Sequence, residues 1–427
     1  MVSIGFVYFC SVIKNNYELQ NDGTMKNILS KRTFIVLPLF LFSLHPLWGQ
    51  KSNFKNDICI PGKLYMLSDI RNDVFVEALI KRWRPYNDFV RFSGDCVYSR
   101  KLNRVASVDT PVDGSNMKIE LVNSDEFEII KEKAISICVG KKGIGTQEVT
   151  VQILGDSFVN GAFFRDALLS KNYIPGIKLV GLRNIKNEEG QYDEGRGGWT
   201  VKKYFEIPKG EMTSYHGYNC GRYDQCITKF DKETGYLAAP KKNDLMYDNA
   251  RGSYMVYTGK KWKNVEVDER KWAFNYRKYL DMWNLDAPKF FAQMLGLNDY
   301  RDSLTADYRE WNKKIAEMKE SYYKAVPDGK FIILIPCTTC GSLNNVRGDF
   351  TLRQNASMWQ LRKNIIDTFD GRESEGYYVV DIGITIDNEK GYNRNRDGIQ
   401  TGNPHPYPNY PTMGIPLAAF IQYYREL

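Results

Sequence analysis

The chain has 427 residues, with 59 Lys+Arg against 51 Asp+Glu, a net charge of +8, 43% hydrophobic and 26% charged residues. That composition is ordinary for a globular protein and excludes disorder, a collagen-like repeat and a polytopic membrane protein; at this length two domains are expected. The basic excess is small and spread out, with no block of like charge, so no nucleic-acid partner is implied.

Met25 opens a segment containing Lys26, Lys31 and Arg32, followed by the uncharged run Thr33 to Trp48 and then Gly49. A basic stretch, an apolar run and a small residue are the layout of a secretory signal peptide. The run is shorter than a bilayer needs and is broken by Pro38 and Pro46, which favours cleavage over anchoring. Residues 1–49 therefore read as an upstream extension and a Sec signal peptide starting at Met25. The mature protein is expected to be secreted or periplasmic, with no stable membrane anchor after cleavage. Seven cysteines follow: Cys59, Cys96, Cys138, Cys220, Cys226, Cys337 and Cys340. An odd number leaves at least one thiol free even where disulfides form. Cys337 and Cys340 have half of a zinc-ribbon spacing, but Cys220 and Cys226 have the wrong spacing for the other half. A local disulfide or buried thiols are expected there, and no metal.

Residues 51–145 alternate as strands do. Met117, Ile119 and Leu121 are separated by Lys118 and Glu120, and Ile135, Ile137 and Val139 repeat the period between turn signals at Pro111, Asp113-Gly114 and Gly140. A small β-sandwich is the expectation, with Val74 to Trp83 able to form a helix as easily as a strand. Over residues 146–427 the pattern changes to short apolar runs separated by helical stretches. The runs are Val149 to Leu154, Ile177 to Leu182, Phe290 to Leu295, Phe331 to Ile335 and Tyr377 to Ile382. Trp311, Ile315, Met318 and Tyr322 fall on one face of a helix, as do Met358, Leu361, Ile365 and Phe369. Strand and helix in alternation predict a three-layer α/β/α sandwich built on a parallel sheet. Between the second and third strands, residues 206–270 hold many tyrosines among Gly, Lys and Asp, and read as an insertion bordering the ligand crevice. Its tyrosines are available either to stack on sugar rings or to pack the insertion onto the domain.

After the first of these strands comes Gly155-Asp156-Ser157-Phe158, and Asn160-Gly161 leads into a helical stretch. A serine at the carboxyl end of a central parallel strand, opening a helix, is placed as a nucleophile would be. Its hydroxyl reacts at neutral pH only if a base takes its proton, which an imidazole is suited to do. The sequence has three histidines: His45 in the signal segment, His216 in the tyrosine-rich stretch and His405 near the C-terminus.

With these residues in place the chain resembles the SGNH or GDSL hydrolases, an α/β/α family defined by four dispersed blocks. Gly-Asp-Ser is the first. Glu194-Gly195-Arg196-Gly197-Gly198-Trp199-Thr200 after the second strand supplies the second, with Gly198 aligned to its glycine. Gly296-Leu297-Asn298-Asp299 after the third strand is the third, and His405-Pro406 is the fourth. The resemblance covers roughly residues 149–427. It implies Ser157 as nucleophile and His405 as base, with the N–H groups of Ser157 and Gly198 and the side-chain amide of Asn298 stabilising the oxyanion. Asp156, Gly296 and Asp299 would brace the loops. The family usually places an aspartate three residues before the histidine, where this chain has Gly402. Asp397, Asn403 or a backbone carbonyl is then left to orient His405.

A β-sandwich ahead of such a domain is similar to the two-domain carbohydrate esterases. The resemblance implies a secreted serine esterase that removes acetyl or other small acyl groups from a polysaccharide or glycan, with an acylated glycan or another small ester as its partner and no cofactor. The alternatives are a lipase or esterase of other substrates, an acyltransferase on the same scaffold, and a non-catalytic glycan-binding protein.

Overall fold

The computed structural model describes residues 56–425 apart from 82–87, 96–97, 101–103, 124–126, 161–162, 170–171, 184–191, 206–241, 243–244, 249–250, 267–273, 304, 338–351, 389, 394–395 and 397–404. Residues 1–49, read from the sequence as an upstream extension and a signal peptide, thus lie outside the described residues. Those described belong to one compact unit, Asn56–Leu427.

The N-terminal part contains β1 (Lys63–Leu67), β2 (Asn72–Phe75), a single helical turn α1 (Val76–Leu79), β3 (Asp88–Ser93), β4 (Tyr98–Arg100), β5 (Val105–Val108), β6 (Asn116–Asn123) and β7 (Ile129–Gly140). They form two sheets, β1-β7-β6-β3 and β2-β5-β4. The alternation read in the sequence sets which side chains go inward. Met117, Ile119, Leu121, Ile135 and Ile137 from the first sheet share one apolar cluster with Val74, Ala106 and Val108 from the second. The ambiguous stretch from Val74 resolves into both possibilities, because β2 ends at Phe75 and α1 begins at Val76. Strand β1 pairs with β7 in parallel, while every other pairing in these two sheets is antiparallel.

The second part begins with β8 (Val149–Gly155), followed by the one-turn helix α2 (Ser157–Asn160), α3 (Phe163–Leu169), β9 (Ile177–Leu179) and β10 (Glu194–Gly195). Next comes a separate antiparallel meander of β11 (Leu245–Asp248), β12 (Ser253–Tyr257) and β13 (Trp262–Val265). The chain returns through α4 (Tyr276–Trp283) to β14 (Phe290–Met294), α5 (Leu297–Tyr300), α6 (Arg309–Ala325), β15 (Lys330–Ile335), α7 (Leu352–Phe369), β16 (Tyr377–Asp381) and α8 (Tyr410–Arg425). Each of the five apolar runs contains a strand, the second only over Ile177–Leu179, and the two apolar stripes are the buried faces of α6 and α7.

These strands make a six-stranded parallel sheet in which β9 and β10 both lie along β8, followed by β14, β15 and β16. The chain leaves β8 toward one side and crosses back to β14 on the other. That reversal leaves a crevice beyond the carboxyl ends of β8 and β14, where ligands bind in open α/β sheets. The C-terminal helix α8 ties the two parts together. Ala419 packs so closely on Gly140 at the end of β7 that a Cβ there would lie 2.2 Å from the Ala419 carbonyl oxygen. Gln422 Nε2 donates to the carbonyls of Lys141 and Ile144 at 2.7 and 2.8 Å.

The insertion is more ordered at its end than its composition suggests. Tyr257 and Trp262 are cross-strand partners in the meander with ring centroids 5.3 Å apart, and Tyr254 is buried. Tyr215, Tyr218, Tyr223 and Tyr236 lie outside the described residues.

Candidate active site

Three of the four sequence blocks meet at the crevice through their backbones. Strand β8 ends at Gly155, where a Cβ would lie 2.6 Å from Val159 Cγ2 and 3.0 Å from the Met294 carbonyl oxygen. Only glycine lets the strand pass this close to both α2 and the end of β14. Ser157 is the first residue of α2 and is half-buried. Asp156, just before it, accepts from the Phe158 N–H through Oδ1 at 3.0 Å, while its carbonyl accepts from the Asn160 N–H at 2.9 Å. The serine is thereby held at the turn from strand to helix.

The second block is pressed against the first. A Cβ on Gly195 would lie 2.1 Å from the Asn160 nitrogen, and the Arg196 N–H donates to the Gly155 carbonyl at 2.8 Å. The chain then turns, with the Trp199 N–H donating to the Arg196 carbonyl at 3.1 Å. Gly198 in this turn has φ +74°, a conformation glycine adopts without a steric cost, and it is exposed. Tyr204 donates toward the carbonyls of Gly155 and Glu194 at 2.8 and 2.9 Å, and Glu194 forms a fully buried ion pair with Arg196.

The third block clamps the Gly198 turn. Asn298 Nδ2 donates to the Trp199 carbonyl at 3.1 Å and to Asp156 Oδ2 at 3.3 Å, and the Asp299 carboxylate accepts from the Val201 N–H at 3.0 Å. Gly296 has φ +119°, and a Cβ there would lie 2.6 Å from Leu361 Cδ2. Asp156 and Asp299 therefore hold backbone and amide N–H groups. Both hydrogens of the Asn298 amide are engaged, so a substrate oxygen must replace one acceptor to receive its bond. The 3.3 Å bond to Asp156 is the longer of the two.

The fourth block reaches the same place from the C-terminal side. The His405 ring lies over Phe158, the residue after Ser157, with centroids 4.6 Å apart. Its Nδ1 is 2.6 Å from the Tyr410 hydroxyl, and Tyr407 stacks on it at 5.7 Å. Among the described residues no hydrogen bond joins Ser157 Oγ to His405; the contact between their segments runs through the Phe158 ring. Catalytic hydrogen bonds are often long before substrate binds and tighten in the complex. Asp397, Gly402 and Asn403 lie outside the described residues, as does His216.

Burial governs the charges here. It pushes the Asp156 carboxyl up to about 7 and that of Asp299 up to about 6, against the opposing pull of the backbone N–H groups they accept from. It holds His405 down at about 4, so the ring is neutral, as a base must be, across the physiological range. The thiols of Cys59 and Cys337 are buried and free, with burial raising them to about 11 and about 12, and Cys138 is likewise buried and free. Thiols so far from ionising are poor nucleophiles. Cys96, Cys220, Cys226 and Cys340 lie outside the described residues.

Several contributors were not singled out from the sequence. Phe158 and Tyr410 flank the imidazole, and the Glu194–Arg196 pair and Tyr204 fix the second block from beneath. The signal for Phe158 was its place next to Ser157. A tyrosine at the start of an apolar helix gives no signal that separates it from core.

No family model matches the chain, and no curated protein matches it. Among solved structures, a carbohydrate esterase family 3 from Talaromyces cellulolyticus aligns at 15% identity over 65% of this chain and 99% of its own, with a TM-score of 0.32. The Clostridium thermocellum family 3 carbohydrate esterase aligns at 12% identity over 66% and 96%, with a TM-score of 0.33. A peptidoglycan O-acetylesterase aligns at 12% identity over 66% and 93%, with a TM-score of 0.32.

Proposed function

We propose that the protein is a serine esterase of the SGNH type, acting outside the cytoplasm on acetyl or other small acyl esters of a polysaccharide or glycan. One observation carries the reading: the segments of Ser157, Gly198, Asn298 and His405, far apart in sequence, converge at the carboxyl ends of β8 and β14.

The reaction this supports is acyl transfer in two halves. Ser157 Oγ attacks the ester carbonyl carbon as His405 takes its proton, and the carbonyl electron pair moves onto oxygen. The N–H groups of Ser157 and Gly198 and the Asn298 amide receive that oxyanion, the amide giving up its longer bond to Asp156. Each such donor is worth ~3 kcal/mol of transition-state stabilisation. The intermediate collapses as the C–O bond to the sugar breaks and His405 protonates the leaving oxygen. Water then attacks the acyl-serine, giving its proton to His405, and the acid departs as Ser157 regains a proton. The parallel sheet with its helices fixes this machinery, and the two N-terminal sheets, read as a small β-sandwich, brace it through α8.

Hydrolysis of 4-nitrophenyl acetate and butyrate by the protein from Gln50 onward tests the reading. Acetate is expected to be the faster substrate, and Ser157→Ala and His405→Ala each to lower kcat on the order of 10⁴-fold or more. Activity equal to wild type in both variants would refute it.

A further inference from the structure

We propose that Tyr410 is the positioning residue for His405, its hydroxyl oxygen accepting the Nδ1–H bond that a carboxylate accepts in a Ser-His-Asp triad. The inference rests on the Ser157–His405 reading above and adds the group that sets the tautomer of the base.

The geometry begins with the 2.6 Å separation of His405 Nδ1 and the Tyr410 hydroxyl, a short hydrogen bond between two rings that are both restrained. Tyr410 opens the 16-residue helix α8, is buried, and meets Phe158 at 6.2 Å and Tyr407 at 5.7 Å. Phe158 and Tyr407 also meet the imidazole. The phenol oxygen is thus fixed relative to the ring by the same residues that fix the ring. In the family pattern the orienting acid lies three residues before the histidine, where this chain has Gly402, with no side chain to offer. Here the partner arrives from five residues after it.

Chemistry then selects the direction of the bond. Burial raises the Tyr410 phenol well above its ordinary value, so it keeps its proton and is both a donor and an acceptor. If the hydroxyl donated to Nδ1, the ring proton would sit on Nε2 and no lone pair would be left for Ser157. If Nδ1–H donates to the hydroxyl oxygen, Nε2 carries the lone pair that accepts the serine proton. When that proton arrives both ring nitrogens bear hydrogen, and only an accepting oxygen at Nδ1 suits the charged ring. Tyr410 therefore holds one geometry through the cycle without itself gaining or losing a proton. A neutral phenol stabilises the imidazolium less than a carboxylate would, in keeping with a ring whose charged form is disfavoured by burial.

Tyr410→Phe keeps the ring and removes only the oxygen. Its kcat on 4-nitrophenyl acetate is expected to fall roughly 10- to 10³-fold at unchanged KM, less than the ~10⁴-fold lost when a triad carboxylate is neutralised. The spectroscopic readout needs no variant: ¹⁵N-labelled protein carries at most three histidines, so the His405 ring can be assigned by its absence from His405→Ala. Wild type should show the Nδ1–H tautomer at neutral pH, and Tyr410→Phe a shift toward Nε2–H. A wild-type ring in the Nε2–H form, or full kcat in Tyr410→Phe, would overturn the proposal. Ser157→Ala and His405→Ala, assayed alongside, separate the two claims. If they are inactive while Tyr410→Phe is normal, only the positioning role fails, and if they retain activity the esterase mechanism fails with it.

Discussion

At the level of single residues, burial of the imidazole predicts, for the proposed Ser-His mechanism, a pH dependence that differs from the ordinary one. His405 is held at about 4 instead of 6.5, so protonation disables the base only in that lower range. The acid limb of kcat/KM is therefore expected well below 6.5, with most activity retained at pH 5.5. A limb centred at 6.5 or above, read from rates between pH 4 and 8, would show that the ring is better solvated or paired with a carboxylate. The residues of the site divide sharply in how legible they were. Ser157, Asn298 and His405 stand in recognisable blocks, whereas the close approach of Gly155 and Gly195 to backbone and side chains of neighbouring segments is visible only in the structure. Tyr410 carried no such mark, because its role depends on a hydroxyl meeting a ring nitrogen across a turn whose shape no local pattern specifies. Of the orienters open from the sequence, Asp397, Asn403 or a backbone carbonyl, the first two lie outside the described residues, while the Tyr410 hydroxyl downstream is 2.6 Å from His405 Nδ1.

At the level of elements, hydrophobic periodicity specified most of what was predicted. Helix α6 buries Trp311, Ile315, Met318 and Tyr322 and turns Lys313 to solvent, since a 3.6-residue period places the four on one face. Trp311→Ala is accordingly expected to cost ~3–5 kcal/mol in urea denaturation. Lys313→Ala should change stability by no more than ~0.5 kcal/mol. Similar losses at the two positions would mean that α6 is not seated on the sheet by its apolar stripe. Where period gave no answer, long-range packing decided. The stretch from Val74 splits into β2 and α1 as Val74 and Val76 enter the same apolar cluster from two kinds of backbone. The parallel pairing of β1 with β7 was equally illegible, since alternation fixes which face is buried and not the direction of the neighbour. The meander β11–β13 was obscured by a composition that reads as loop, and its strands are held by cross-strand partners such as Tyr257 and Trp262.

At the level of the whole molecule, the order of strands is what creates a site. Because β9 and β10 lie on one side of β8 and β14 on the other, the loops after β8 and β14 cannot cover each other and must face across a crevice. Ser157 follows β8, the Gly198 turn follows β10, and Asn298 follows β14. His405 is brought in just ahead of α8, which also anchors the N-terminal sheets through Gly140 and Gln422. We propose that this crevice holds a nucleophilic serine activated by His405. That activation is tested most directly by treating the protein with a phosphonofluoridate and mapping the modified peptide by mass spectrometry. A single adduct on Ser157, formed far more slowly in His405→Ala, is the predicted result; an unmodified Ser157, or an adduct on another residue with activity intact in Ser157→Ala, would contradict it.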